Sequence, residues 1–146
     1  MAVRVQREDF DLGAELQALR DGRTDIGALV SFSGLVRDDT GDLQALELEH
    51  YPGMTEVALA EIETEAKARW DLNASLIIHR YGPLKPGEQI MMVAAAAPHR
   101  RAAFEAADFL MDFLKSRAPF WKKEHGPQGS SWVDAKDADE DALKRW

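Results

Sequence analysis

The sequence predicts a single α+β domain spanning residues 1–146, with largely antiparallel strands and two main helices. Two observations support this prediction. Apolar and polar residues alternate in short stretches that come in pairs, and apolar residues recur at helical spacing in two long stretches, 54–70 and 99–117. Strand pairs interleaved with helices in this order are typical of an α+β fold. A chain of 146 residues, 45% of them hydrophobic, can bury a core without disulfides or metal.

The first half of the chain begins with a short amphipathic helix, predicted over residues 7–20 and capped by an aspartate near its start. A strand is predicted over residues 27–37, where apolar side chains alternate with serines, and another over residues 43–50. Turn-forming residues fill the stretch 38–42 between them. We therefore expect these two strands to pair as a hairpin.

The second half begins with the long helix at 54–70, and two strands are predicted at 76–81 and 90–97. Glycine and proline residues between these strands suit a tight connection, so we expect a second hairpin. The second long helix, 99–117, must stop before Pro119.

Beyond that proline the pattern is less regular. Trp132 and Val133 fit either a short last strand or a docked extension, and residues 137–146 fit a marginal helix.

Composition excludes several classes of protein. A chain with no cysteine has no disulfide, no thiolate metal site and no cysteine nucleophile. The net charge of -8 argues against a general binder of nucleic acids or anionic membranes. The longest apolar run, 90–98, is far too short for a bilayer span, and the first residues lack the pattern of a signal peptide. We therefore expect a cytoplasmic protein.

One segment of this acidic chain is locally basic. Between Pro98 and His125 four acids are outnumbered by six basic residues, namely Arg100, Arg101, Lys115, Arg117, Lys122 and Lys123. His99 and Arg100 fall at the start of the predicted helix, where free N–H groups and the positive end of the helix dipole favour an anion such as phosphate. Alternatively, Arg100 is a solvated surface residue and His99 an ordinary helix-end histidine.

Two lysines are the candidates for catalysis. Lys115 lies in the last turn of that helix, and Lys122 follows the aromatic corner 119–121, so their ammonium groups can converge. Such a lysine can act as a nucleophile, as a general acid or base, or as an electrostatic clamp on a carbonyl or thiocarboxylate. The alternative is that Lys115 pairs with Asp112 and that Lys122 is solvated. Arg37, at a predicted strand end, is equally open between ligand and surface charge.

Other common sites are missing from the sequence. The four histidines have no spacing of a zinc site, the glycines form no phosphate-binding motif, and there is no G-x-S-x-G elbow. We expect neither a metal nor a cofactor.

Five blocks of sequence are distinctive, namely Phe-Ser-Gly-Leu-Val-Arg (32–37), Leu-Glu-His-Tyr-Pro-Gly-Met (48–54), His-Arg-Tyr-Gly (79–82), Pro-His-Arg (98–100) and Lys-Ser-Arg-Ala-Pro-Phe-Trp-Lys-Lys-Glu (115–124). Together they resemble the signature of a known family, the large catalytic subunit of molybdopterin synthase. Their order and spacing also resemble the family, from roughly residue 25 to the final Lys-Arg-Trp.

The resemblance implies an α/β hammerhead fold and a heterotetramer, in which a central homodimer carries a ubiquitin-like small subunit at each outer end. It also implies a sulfurtransferase. The small subunit's Gly-Gly tail, activated as a thiocarboxylate, would deliver sulfur to cyclic pyranopterin monophosphate, and two deliveries would make the dithiolene of molybdopterin. The lack of cysteine agrees with this, because the sulfur arrives on the partner.

By matching motif, the resemblance assigns catalysis to Lys115 and Lys122, and it suggests that Lys136 reaches a pocket across the dimer. The residues that it assigns to substrate binding are Arg37, His99, Arg100, Lys123 and Glu124. Two rival hypotheses stay open. One is a scaffold that binds a ubiquitin-like partner or an anionic metabolite without turnover, and the other is a phosphate-ester enzyme built on His99 and Arg100.

Overall fold

The protein folds into two four-stranded sheets with helices packed around them. The computed structural model describes residues 2–133 and 137–146. The elements in this part of the chain are β1 (Ala2–Gln6), α1 (Leu12–Arg20), β2 (Ala28–Leu35), β3 (Ala45–His50), α2 (Met54–Arg69), β4 (Ala74–Arg80), β5 (Gly82–Leu84), β6 (Gln89–Ala97), α3 (Arg100–Ser116), β7 (Phe120–Gly126), β8 (Gly129–Trp132) and α4 (Asp137–Ala142), followed by a 3₁₀ turn, Leu143–Arg145.

The larger sheet has the strand order β1-β4-β6-β2 and forms the centre of the molecule. Its two middle strands are buried on both faces, and β6 ends in four alanines, Ala94–Ala97, with no exposed surface. Side chains this small let helices approach the sheet closely. Helices α2 and α3 contribute to the main core on one face, and α1 covers a smaller core on the other.

The smaller sheet has the strand order β5-β3-β7-β8. Its own core is small and consists of Val36, Leu46, Leu48 and Leu84, with Leu43, Tyr81 and Ile90 packed against it. Because Ile90 also packs against the main core, the two sheets meet at the end of the larger sheet where β6 begins.

The predicted α+β class is confirmed, and both long helices and the second hairpin lie where the sequence places them. Strands β4 and β6 pair antiparallel, with Ile78 opposite Met92. The pairing of β1 with β4 is parallel, so the fold is largely but not entirely antiparallel. The end of the chain contains the short strand β8 and the helix α4.

The predicted first hairpin is wrong. Strand β2 pairs with β6 along its whole length, from Ala28 opposite Ala97 to Leu35 opposite Gln89. Strand β3 belongs to the other sheet, between β5 and β7. Residues 36–44 therefore cross from one sheet to the other, because alternation specifies the buried face of a strand and not its partner.

Three strands were missed. Strand β7 is rich in charged residues, which are uncommon in strands. Its backbone pairs with β3 on one side and with β8 on the other, and these hydrogen bonds outweigh the low strand propensity of its residues. Strands β1 and β5 are short segments that pair with β4 and β3. Within the described residues, no helix is long and apolar enough to cross a membrane.

The topology determines which residues share an end of the molecule. Helix α3 follows β6 after two residues and packs on β6 and β2, so it runs back along the sheet. Its last turn therefore lies near the start of β6, which is also the end of β2 and of β4. The candidate site lies at this shared end, where the smaller sheet is joined.

Candidate active site

A buried histidine lies at the joint between the two sheets. His79, on β4 of the larger sheet, stacks on Phe120 of β7 in the smaller sheet, with ring centroids 3.7 Å apart and planes at 18°. Its Nδ1 lies 2.8 Å from the carbonyl oxygen of Arg80. A carbonyl can only accept, so Nδ1 donates and Nε2 carries the lone pair.

His79 is neutral across the physiological range. The pKa of His79 is lowered from 6.5 to about 3, mainly by burial, and the hydrogen bond to the Arg80 carbonyl opposes this only in part. The positive charges of Lys122 and Lys115 contribute to the lowering, as does His50. Both candidate catalytic lysines therefore lie close enough to act electrostatically on this one imidazole.

The two lysines come from different layers of the fold. Lys115 lies in the last turn of α3 and is exposed. Lys122 lies on β7 opposite the fully buried Leu48 of β3, and it is half-buried. The short connection between α3 and β7 at 117–119 brings both residues to the same joint.

One interpretation of the sequence is that Lys115 pairs with Asp112. The structure shows other partners for the Asp112 carboxylate. Asp112 accepts from the guanidinium of Arg145 and, at 2.6 Å, from the indole Nε1 of Trp146. In the described part of the chain Lys115 takes part in no ion pair. Its charge therefore remains available for an anionic ligand.

Aromatic rings extend from His79 along the floor of the site. The ring of His50 lies 4.5 Å from Tyr81 and 6.1 Å from Phe120, and its Nδ1 lies 3.3 Å from the hydroxyl of Thr55. Ring surface of this kind beside the half-buried Lys122 lowers the local dielectric constant, and an ammonium interacts more strongly with an anion in such surroundings.

Beside this floor, Arg80 is buried and fully engaged. Its guanidinium donates to the carbonyl oxygens of Arg7 and Gln89, at 2.9 and 3.0 Å, and lies 3.9 Å from both Asp9 and Glu88. These bonds join β4 to the start of β6 and to the segment after β1. Arg80 therefore stabilises the joint rather than serving a ligand.

Arg37 lies just beyond β2, at the same end of the larger sheet as Lys115. Its side chain is 79% exposed, and its Nε is 3.3 Å from Asp39. An exposed pair of this kind is weak, so Arg37 can exchange it for a substrate anion.

His99 and Arg100 lie at the opposite end of α3. His99 is the N-cap residue, its side chain makes no capping hydrogen bond, and both residues are exposed. Fifteen residues of helix separate Arg100 from Lys115, a rise of about 22 Å. Within one chain, His99 and Arg100, the predicted phosphate-binding residues, therefore do not lie beside Lys115.

The remaining predicted residues divide between the two faces of β7. Glu124 lies on the same face as Lys122, whereas Lys123 points to the other face, where its ammonium lies 5.1 Å from the ring centroid of Trp132. Lys136 lies outside the described residues. No cluster of three or more histidine, aspartate or glutamate side chains suited to a metal occurs in the part of the chain that the structure describes.

Sequence reasoning missed His79 as a member of the site. His79 lies within the sequence block 79–82, but the pattern of its strand is that of ordinary buried β-structure. The signal that could have identified His79 is a histidine within a strand that is otherwise apolar, because a buried imidazole needs a polar partner.

The fold and the site together define a class: a two-sheet α+β domain with two lysines close to a buried, neutral imidazole, an arrangement that suits an anionic ligand. Residues 5–117 match the family model described as MoaE protein. The chain is 61% identical to the molybdopterin synthase catalytic subunit of Mesorhizobium japonicum, an alignment covering 99% of this chain and 92% of that protein. It is also 61% identical to the subunit of the same name from Cereibacter sphaeroides, with full coverage of both. The chain belongs to the MoaE family.

Solved structures agree with this assignment. The MoaE protein of Burkholderia ambifaria superposes with a TM-score of 0.87 at 54% identity, covering 100% of this chain and 98% of that one. Molybdopterin synthase from Staphylococcus aureus gives 0.82 at 32% identity, with coverage of 90% and 96%. A complex of subunits 1 and 2 of molybdopterin-converting factor from Helicobacter pylori gives 0.76 at 20% identity, with coverage of 92% and 90%, and shows the shared fold alone.

Proposed function

We propose that this chain is the catalytic subunit of a molybdopterin synthase. It takes sulfur from the thiocarboxylated C-terminus of a small ubiquitin-like subunit and transfers it to cyclic pyranopterin monophosphate, forming the dithiolene of molybdopterin. Relatives of this name at 61% identity over almost the whole chain support the proposal. Because these relatives are named as the catalytic subunit of an enzyme, they also support a second subunit as protein partner. The cytoplasm is the proposed location.

One observation carries the chemical part of this proposal. Lys115 and Lys122 approach a single buried, neutral imidazole, and the acid nearest to Lys115 on its helix is bound by Arg145 and Trp146. Both substrates are anions, a thiocarboxylate and a phosphate ester. Ammonium groups above an aromatic floor suit such ligands, since their attraction strengthens where water is excluded.

The two lysines receive different roles because their surroundings differ. Lys122, half-buried on a strand, and Arg37 hold the thiocarboxylate or the pterin. Lys115, exposed on the last turn of α3, assists proton transfer or stabilises charge while the acyl–sulfur bond breaks. The chain itself contributes no sulfur, because it has no cysteine.

The separation between the two ends of α3 suggests how the proposed homodimer works. His99 and Arg100 are about 22 Å from Lys115 along the helix, too far to touch one small substrate held by Lys115. We infer that they serve the site of a second copy of the chain. A homodimer carrying two small subunits then forms the proposed heterotetramer.

The decisive experiment is a single-turnover assay with thiocarboxylated small subunit and cyclic pyranopterin monophosphate, in which molybdopterin is detected as its fluorescent oxidation product. Lys115→Ala is compared with Lys67→Ala, which removes an exposed lysine from the equivalent last turn of α2. We expect Lys115→Ala to lower the rate by about a hundredfold or more, and Lys67→Ala to leave it unchanged.

Binding of the small subunit by each variant is measured in parallel. If the wild-type chain bound the small subunit but made no molybdopterin, the chain would be a docking scaffold. Equal rates for Lys115→Ala and Lys67→Ala would preserve the enzyme but remove Lys115 from its centre.

A further inference from the structure

His79 lies between the two sheets, close enough to both lysines for their charges to act on its ring. Its backbone is in β4 of the larger sheet, and its ring stacks on Phe120 of β7 in the smaller sheet. Lys122 lies two residues after Phe120 on the same face of β7, so its flexible stem starts about 7 Å along the strand from the stacked ring. Lys115, on α3, is close enough for its charge to lower the pKa of His79.

The hydrogen bond at Nδ1 determines what His79 offers to these lysines. Because Nδ1–H is donated to the Arg80 carbonyl at 2.8 Å, Nε2 is an acceptor. The ring stays neutral because burial, together with the positive charges of Lys122 and Lys115, holds its pKa far below neutrality. His79 is therefore an acceptor with no charge of its own.

We propose that His79 is a positioning residue of the sulfur-transfer site, and that its Nε2 accepts a hydrogen bond from the ammonium of Lys122 in the working enzyme. This inference rests on the proposed function and adds a residue to it. A carboxylate in this place would also orient an ammonium, but it would neutralise the charge that an anionic substrate needs. A neutral imidazole orients Lys122 and leaves its positive charge intact.

A second possibility is that His79 only fills space between the sheets. Two substitutions distinguish the hypotheses, because each hypothesis predicts a different variant to be the more active one. His79→Phe keeps an aromatic ring against Phe120 and removes both nitrogens. His79→Gln loses the ring but keeps an amide that can donate to the Arg80 carbonyl and accept from an ammonium. Positioning predicts that Gln is the more active variant, and packing predicts that Phe is.

The assay is the single-turnover reaction over a range of small-subunit concentrations up to saturation, with thermal unfolding measured for each variant. We expect His79→Phe to lower the rate about tenfold or more, the effect of losing one hydrogen bond to a charged group, with its KM for the small subunit unchanged. His79→Gln should stay within about threefold of the wild type although it is the less stable protein. His125→Gln, which removes a histidine from the other face of β7, is the matched control and should react as fast as the wild type.

A readout without turnover keeps this inference separate from the proposed function. The ¹⁵Nζ chemical shifts of Lys115 and Lys122 are measured in lysine-labelled protein and assigned with arginine substitutions at each position. We expect the Lys122 signal to move in His79→Phe and to stay near its wild-type position in His79→Gln. An unmoved Lys122 signal in His79→Phe, or a Phe variant as active as the Gln variant, would overturn the positioning role. A wild-type chain that made no molybdopterin while its Lys122 signal responded as expected would count against the proposed function alone.

Discussion

The indole nitrogen of Trp146 donates a hydrogen bond to the carboxylate of Asp112, at 2.6 Å, three residues before Lys115 on the same helix. Arg145 binds the same carboxylate, and Arg69 donates to the backbone carbonyl of Trp146 at 2.9 Å. Residues three apart on a helix are neighbours, so an unbound Asp112 would lie within reach of the Lys115 ammonium. Arg145 and Trp146 thus occupy the carboxylate that could otherwise pair with Lys115.

Releasing Asp112 is expected to reduce activity. In the double variant Arg145→Ala with Trp146→Phe, Asp112 can pair with Lys115 and compete with the anionic substrate. We expect a several-fold slower single-turnover rate. Adding Asp112→Asn removes the competing charge and should recover most of that loss. If the triple variant were as slow as the double variant, the loss would come from disturbed packing around Trp146.

Stability should depend on pH through His79. The pKa of His79 is lowered to about 3 in the folded protein, against 6.5 ordinarily, so the unfolded chain binds this proton more readily between those values. The contribution of neutral His79 is complete above pH 6.5 and is lost as the pH falls towards 3. At pH 4 the loss is about 3 kcal/mol.

Chemical denaturation at pH 7 and pH 4 measures this effect. The free energy of unfolding of His79→Phe should fall less between the two pH values than that of the wild type. Other groups, such as Asp9, titrate in both proteins, so only the difference between their pH slopes is diagnostic. Parallel slopes would mean that His79 is not the group responsible.

Glu63 should have the opposite pH dependence. This carboxyl is buried on α2, where burial raises its pKa, while hydrogen bonds from the Ser75 hydroxyl and the Ala2 backbone oppose the shift. A raised pKa in the folded state means that stability is lost as the pH rises through it. Glu63→Gln keeps the size and the hydrogen-bond acceptor but has no charge. Its melting temperature should exceed that of the wild type by more at pH 8 than at pH 5, as differential scanning calorimetry would measure.

Gly27 should tolerate no side chain. A Cβ at this position would lie 2.1 Å from the carbonyl oxygen of Pro98, which precedes His99 and Arg100. Gly27→Ala must therefore displace that segment, and we expect destabilisation of about 2 kcal/mol or more and weaker binding of the phosphorylated precursor. Gly13→Ala on α1, where the new Cβ would meet only an ordinary contact at 3.6 Å, is the control. It should be neutral or slightly stabilising.

Mixing two inactive variants tests whether the site is shared between chains. If Arg100 of one copy serves the Lys115 of another, a mixture of Lys115→Ala and Arg100→Ala chains forms some dimers with one intact site. Activity should recover to about a quarter of the wild-type value, the statistical share of intact sites after random pairing. Activity no higher than that of the separate variants would place both residues in the site of one chain.

The sequence predicts elements better than it predicts their partners. The helix α3 and the strand β6 follow from periodicity and from Pro119, because both signals are local. The partner of β2 could not be predicted, since alternation along 27–37 is compatible with either neighbour. Strand β7 was missed because its charged residues look like a loop, and only cross-strand pairing on both sides explains it.

For the candidate site, too, local features could be predicted and contacts between elements could not. The block that contains Lys115 and Lys122 was visible in the sequence, and so was the basic segment around it. The proximity of His79 to both lysines depends on two sheets meeting, and no spacing along the chain encodes it. The distance of Arg100 from Lys115 could have been predicted, since both lie on one helix whose rise is fixed.

The contact between His79 and Phe120 also helps to fix how the two sheets are placed relative to each other. Lys115 moves with the larger sheet, on which α3 packs, whereas Lys122 is part of the smaller sheet. The distance between the two ammonium groups therefore depends on the angle between the sheets, as well as on the conformations of the two side chains. A substitution at the contact between the sheets would thus change the site without altering either lysine.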